Sequence, residues 1–177
     1  MTEKLIFTPT EEDLRSAYGL HIKQLGLKRV LYLLLFGLTV GVIMAAFDGF
    51  DDVPKALGLI AGMTIWAGIV ALIMTIMIPV WWVPRLAKKI YKQQKDLRLE
   101  TTSWWDDEKL HSKNEQGQSH LTFADMVKWR ADDKVVLLYR SDHMFNFLPA
   151  RIFKDEAHRN GLVRRLQDAG LPGEDKS

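Results

Sequence analysis

Hydrophobic and polar positions divide this chain into two materials. From Val30 to Phe47 (VLYLLLFGLTVGVIMAAF) and from Ala56 to Val83 no residue is charged. Apolar side chains cover every face of both runs instead of forming one helical stripe, the pattern of a helix surrounded by apolar material. The runs hold 18 and 28 residues, against the roughly 20 that cross a hydrocarbon core about 30 Å thick. They predict a two-helix transmembrane hairpin over 30–83, with spans at about 30–47 and 56–78. The remaining PVWWVP then lies at the membrane interface, where Trp81 and Trp82 keep their rings at headgroup level and Pro79 and Pro84 bend the exit. A soluble buried hairpin is disfavoured by the all-round apolar surface. A cleaved signal peptide is disfavoured because the first run starts only at residue 30 with a second behind it, so the N-terminus is expected to be retained.

Ahead of the hairpin, residues 1–29 predict a short strand at Lys4-Leu5-Ile6-Phe7 and an amphipathic helix. Thr8-Pro9-Thr10-Glu11 reads as a capping box with proline at the first helical position. Leu14, Tyr18, Ile22 and Leu25 then form one stripe. Glu11, Glu12 and Asp13 in the first turn suit a helix N-terminus and not an anionic membrane, so the stripe is expected to dock on the domain that follows.

That domain, residues 97–171, changes to period-two patterning. Leu97 and Leu99 alternate with Arg98 and Glu100 and lead into TTSWW. After a turn at Asn114-Glu115-Gln116-Gly117, Leu121 and Phe123 alternate with His120 and Thr122, and Val127 shares a face with Trp129. Asp132-Asp133 turns the chain into VVLLYR, apolar on both faces and therefore central. Ser141-Asp142-His143 turns it again into MFNFL. The reading is an antiparallel meander. A final helix from about Asp155 turns Ala157, Leu162, Leu166 and Ala169 toward the sheet and ends at Gly170, with Pro172 just beyond. Asn160-Gly161 is its weak point, where a break is expected, since glycine costs on the order of 1 kcal/mol relative to alanine. Residues 172–177 are left as a tail, and the fold class is an α+β membrane protein.

Charge orients the hairpin. The mean hydropathy of −0.08 and net charge of +2 are unremarkable averages, and the balance argues against a nucleic-acid surface. Their distribution is informative. Arg15, Lys23, Lys28 and Arg29 precede the first span; Arg85, Lys88, Lys89, Lys92 and Lys95 follow the second in a basic exit, 84–96, with Arg98 just beyond. The loop between carries Asp48, Asp51 and Asp52 against Lys55. Basic flanks stay cytoplasmic, so both termini are expected on the cytoplasmic side with the acidic loop outside. The basic exit is read first as this topology signal, and second as a site for anionic lipid headgroups.

Gly37-xxx-Gly41 and Gly58-xxx-Gly62 let helix backbones approach closely. Counting from the loop places Gly41 level with Gly62 and Ala45 level with Gly58, so these pairs are expected to face each other within the chain, a homo-oligomer being the alternative. No ionisable residue lies within either span, which disfavours a transporter.

Catalytic signals are weak. With no cysteine, thiol chemistry and Cys-based zinc sites are excluded. Ser141, Asp142 and His143 are adjacent in extended chain and point to opposite sides, so they cannot form a relay. A metal site would need His111, His120 and His143 to converge with Asp106 or Asp142; solvated surface histidines are the preferred reading, and no metal or cofactor is expected. Trp104, Trp105 and Trp129 could build a stacking platform for a ligand, with core packing the preferred reading. There is no Gly-rich phosphate loop.

Trp129, the run Lys134-Val135-Val136-Leu137-Leu138-Tyr139, the segment Leu148-Pro149-Ala150-Arg151-Ile152-Phe153 and the layout of strand, capped helix, hairpin, basic exit and closing helix together resemble the YcxB-like family of bacterial membrane proteins. The family's basic residue directly after the proline is replaced here by Ala150, followed by Arg151. The resemblance implies a cytoplasmic domain similar to a pleckstrin-homology fold and brings no catalytic residue. The expected function is therefore a non-enzymatic, membrane-anchored binding module for a protein, peptide or lipid headgroup. The alternative is an immunity or regulatory subunit whose hairpin contacts another membrane protein.

Overall fold

A computed structural model describes residues 3–23 and 26–175. The chain forms two compact units, one of Met1–His21 with Arg85–Ser177 and the other of Ile22–Pro84.

The second unit is a hairpin of α2 (Gly26–Phe47) and α3 (Val53–Met77). Both helices are long and apolar enough to cross a membrane. Their connection is encoded locally. At the end of α2, Phe50 donates its N–H to the Ala45 carbonyl and Gly49 donates to Ala46, a Schellman motif that requires the left-handed backbone found at Gly49, φ 97°. The Asp52 side chain then accepts from the Lys55 N–H at 3.1 Å, and Pro54 occupies the first turn of α3.

Small residues set the packing of α2 on α3. A Cβ added at Gly41 would lie 2.7 Å from the Ile60 Cα, and one at Gly37 would lie 2.5 Å from the Ala67 Cβ and 2.7 Å from the Met63 carbonyl oxygen. Ala45, Ala56 and Ala71 are buried. Gly58 and Gly62 lie elsewhere, since a Cβ at either would meet nothing within 4 Å. The expected pairing of Gly41 with Gly62 and of Ala45 with Gly58 is corrected to a contact of Gly41 with Ile60. Two residues along a helix is 200° around it, so this small error of depth moves the glycines off the interface.

The prolines beyond α3 do not end the helix. Ile78–Trp82 forms a π-turn in which Val83 donates to the Ile78 carbonyl, and α4 (Val83–Gln93) follows at once. Pro79 cannot donate to the preceding turn, and widening the spiral by one residue accommodates the lost bond. The basic exit is therefore mostly helix, not extended linker, and it closes with a 3₁₀ turn at Lys95–Arg98.

The first unit holds two four-stranded sheets, where a single antiparallel meander was expected. In the first, β1 (Leu5–Phe7), β2 (Thr101–Trp105), β3 (Lys109–Asn114) and β4 (Gly117–Thr122) are neighbours in sequence order, all antiparallel. The second runs β7-β6-β5-β8, with β5 at Lys128–Ala131, β6 at Val135–Tyr139, β7 at Phe145–Pro149 and β8 at Gly173–Asp175. Here β8, predicted as tail, lies parallel to β5. Strand β2 starts later than predicted because the 3₁₀ turn takes up Leu97, and Val127 stands exposed ahead of β5 instead of sharing the Trp129 face.

Strand β6 is buried at all five positions. Val136 and Leu138 join the main core with Leu5, Trp105, Phe123 and Trp129, and with Leu162 and Leu166 of α5 (Glu156–Asp168). Val135, Leu137 and Tyr139 pack on the other side against Ala17 and Leu20 of α1 (Glu11–Lys23). Helix α1 thus docks on the second sheet through Asp13, Leu14, Ala17 and Leu20; Tyr18 and Ile22 are only half-buried, and Leu25 of the expected stripe lies outside the described residues. Its cap is Thr10, two residues later than predicted, with Asp13 donating its N–H to the Thr10 hydroxyl and Thr10 donating its own to the Asp13 carboxylate. Helix α5 is continuous through Asn160-Gly161, and buries Arg159 and Val163 with the two leucines while Ala157 and Ala169 stay exposed.

Gly41→Leu should destabilise the hairpin by about 1–3 kcal/mol through overpacking, while Gly62→Leu should be neutral. Thermal melts of the two variants in detergent provide the comparison, and equal melting of Gly41→Leu with the parent would remove the contact.

Candidate functional site

Three features of the first unit gather chemistry. The first is a cavity of about 380 Å³ lined by residues of α1, β1, β2, β3 and β7 and by residues 94–97, within the size range of small-ligand sites. Leu14, Leu110 and Leu148 contribute buried apolar surface. Ser103 and Ser112 bring a hydroxyl pair 3.1 Å apart, and Asn146 and His143 add polar groups. Paired hydroxyls beside apolar surface suit a small ligand or inserted side chain with one polar end.

The second is the exposed face of α4. Arg85, Lys88, Lys89 and Lys92 are all exposed while Ala87 is buried. At 100° per residue the four cations share an arc of about 100°. Tyr91 donates its hydroxyl to the Pro9 carbonyl at 3.2 Å, which ties α4 to the segment between β1 and α1. Trp81 and Trp82 lie in the π-turn and are more than half exposed.

The third lies on the first sheet. His111 and His120 are directly opposed across β3 and β4, with their Nδ1 atoms 2.6 Å apart. The other nitrogen of His111 lies 2.7 Å from an Asp106 carboxylate oxygen. The hydrogen bond from His111, with those from the Glu108 and Lys109 N–H groups, holds Asp106 down at about 2. In the neutral tautomer that donates Nε2–H to Asp106, His111 Nδ1 accepts from His120. Trp104 stacks on His111 at 5.2 Å, and Lys4 lies over the same indole at 5.4 Å. Among the described residues no group of three or more histidines and carboxylates could hold a metal ion. His143 lines the cavity instead, and Asp142 pairs with Lys128 at 2.7 Å.

The three tryptophans do not form one platform. Trp104 and Trp105 are neighbours on β2 and point to opposite faces: Trp104 meets His111, while Trp105 is buried against Phe153 and His158. Trp129 is buried on the second sheet, with its indole N–H donated to the Leu171 carbonyl at 3.3 Å.

Sequence reasoning missed three arginines. Arg151 reaches Asp13 with Nε at 3.0 Å and Nη2 at 2.6 Å, and donates to the Thr8 carbonyl at 2.9 Å, which fastens α1 to the domain. Burial works against the charged form of Asp13, but the Arg151 and Thr10 hydrogen bonds and the Arg151 charge outweigh it and hold the carboxyl below 3.8. Arg130 and Arg159 are buried. Their signal was a charge set among inward-facing apolar neighbours, Trp129 and Ala131 for the first, Leu162 and Val163 for the second.

Residues 105–161 match the family model described as YcxB-like protein, so this stretch, from the last residue of β2 into α5, is a YcxB-like domain. No curated protein and no solved structure matches the chain.

A carboxyl lowered on folding adds stability that is complete above its unfolded pKa and is lost as pH falls through the folded value. For Asp13 that window opens below about pH 4. Asp13→Asn should cost about 1–3 kcal/mol near neutrality through the lost charge-assisted bonds and should flatten the acid limb of stability against pH. Urea unfolding of both proteins between pH 6 and 3 gives the comparison; parallel acid limbs would show that the Asp13–Arg151 pair contributes nothing.

Proposed function

We propose that the protein is a non-enzymatic binding module anchored in the bacterial cytoplasmic membrane, with both termini in the cytoplasm. The observation that carries this reading is the charge asymmetry around two apolar helices of spanning length. Basic residues precede α2 and cover α4, and the short connection between α2 and α3 is acidic. The outward side chains support it: Leu35, Phe36, Ile43, Leu57, Ile65, Trp66, Leu72 and Ile76 are large, apolar and exposed on both helices, a surface that suits lipid and not water. We read the two four-stranded sheets, closed by helix α5 and the short strand β8, as a variant of a pleckstrin-homology-like domain. The cavity and the α4 face are the domain's candidate binding surfaces.

On this reading the α4 cations face anionic headgroups, each contributing about 1 kcal/mol near the surface. A second reading, an immunity or regulatory subunit that acts through its hairpin, is favoured by one observation: Gly58 and Gly62 leave a small-residue surface of α3 open.

Reporter fusions after Lys95 should behave as cytoplasmic and fusions within Asp48–Lys55 as external. A C-terminal domain open to protease on intact cells would reverse the topology.

The absence of cysteine permits a single label at Gln93→Cys in the full chain, reconstituted in nanodiscs. Quenching by a headgroup-borne quencher should increase with anionic lipid. It should fall at 1 M salt, where the screening length shrinks to about 3 Å, and when Arg85, Lys88, Lys89 and Lys92 become glutamine. Quenching indifferent to all three changes would leave the basic face as a topology signal only.

A further inference from the structure

The free edge of β7 opens into the cavity of the first unit, and edge and cavity together have the form of a slot for one more strand. Strand β7 ends the second sheet. Beyond both ends of the strand the pairing with β6 continues: Ala150 donates its N–H to the Lys134 carbonyl, and Arg140 donates to Met144. In the antiparallel register of Val136 with Leu148 and Leu138 with Asn146, the bonds to β6 therefore fall on the even-numbered residues of β7. The N–H and C=O groups of Phe145 and Phe147 point the other way, where the sheet has no further strand.

The layers on both sides extend past this edge. Phe145 and Phe147 pack on the α1 side of the sheet and Leu148 in the main core, yet all three line the same cavity with Asn146. The cavity thus wraps the edge of β7, with Leu14 and Tyr18 of α1 on one side and Ser103 and Ser112 of the first sheet on the other. Ser103 is buried. Its bond to Ser112 at 3.1 Å uses one of two hydroxyl hydrogens and leaves the other to donate. An incoming strand meets main-chain partners on β7, apolar surface on one face and hydroxyls on the other.

We infer that the β7 edge is a strand-addition site for an extended segment of a partner protein, with small polar side chains toward Ser103 and Ser112 and apolar ones toward α1. The site rests on the binding-module reading and supplies the class of ligand that the cavity takes. In capture of this kind main-chain pairing gives affinity and the pockets for alternate side chains give specificity. The slot admits a segment free of its own fold: β7 of a second copy is flanked by the same two layers and cannot reach in. Among the described residues that line it there is no lysine or arginine, so a phosphate or an acidic side chain has no counterion there.

The test uses the full chain in nanodiscs, isotope-labelled at phenylalanine, and the capped pentapeptide VSVSV. Titration should shift the Phe145 and Phe147 amides saturably and slow their hydrogen exchange. Only alternate residues of a paired strand turn their N–H groups to β7, so N-methylating either the valines or the serines should cost about tenfold in affinity, and methylating the other set should cost little. Phe147→Pro removes an outward N–H and keeps the bonds to β6; it should weaken VSVSV about tenfold relative to Phe147→Val. Should either variant fail to fold, the methylated peptides decide, because they leave the protein unchanged. Titration that shifts neither amide, or two methylated peptides that bind alike, would overturn the proposal. So would N-acetylserine amide binding as tightly as VSVSV, which would make the cavity a pocket for small polar solutes. The quenching of the Gln93→Cys label by anionic headgroups is read separately: if it succeeds where VSVSV fails, the strand site falls and the binding-module reading stands.

Discussion

Strand β6 has no solvent face, and most of the first unit follows from that. A five-residue strand with every side chain buried needs a layer on each side, because apolar surface left in water forfeits about 25 cal/mol per Å². On one side the first sheet and α5 cover Val136 and Leu138; on the other, α1 covers Val135, Leu137 and Tyr139. A chain whose domain began at residue 97 would have no element for the second side. The N-terminal segment has to return: β1 pairs with β2, α1 lies over β6, and Arg151 grips Asp13 from the end of β7. The cover is also polar where it must be. Burial pushes Tyr139 up to about 12, and its hydroxyl lies 3.2 Å from a ring nitrogen of His21.

The central strand and the turns were legible because each depends on residues close in sequence. VVLLYR could be placed at the centre because it alternates with nothing, and Asn114–Gly117, Asp132-Asp133 and Ser141–His143 all turn the chain. The errors share a cause. Periodicity gives a direction relative to neighbours and says nothing of what lies opposite, so the α1 stripe was centred on Tyr18 and Ile22 while the sheet buries Ala17 and Leu20. In α5 the alanines scored as apolar, yet long side chains better fill the space over the first sheet, and Ala157 and Ala169 were left outside. Strand β8 is three exposed residues with two acids and one glycine, a composition depleted in strands. It pairs because of Trp129, Arg130 and Arg159, none of them near it in sequence.

The hairpin shows the same limit in a simpler form. Depth within a pair of antiparallel helices can be counted from the loop, and the count was within two residues of the observed contact between Gly41 and Ile60. Azimuth cannot be counted, because α3 is apolar on every side and no stripe marks the face turned to α2. Of two identical GxxxG motifs, one lies in the contact and one does not. The difference is that Gly37 and Gly41 continue to the buried Ala45, whereas the small residues of α3 that are buried, Ala56 and Ala71, lie off the Gly58-Gly62 row.

The buried arginines escaped notice because a count of positive charge makes no distinction between exposed and desolvated cations. On α4 the ammonium groups of Lys88, Lys89 and Lys92 are exposed, and an opposing anionic surface would attract them weakly, additively and in proportion to how little salt is present. Such a face tolerates exchange of one lysine for another and recognises charge density, not sequence. Arg130 and Arg159 have given up their water, so each must be met by a carboxylate at bonding distance, and misplacing it by one residue leaves a buried cation without its counterion. A cation in that position discriminates between sequences.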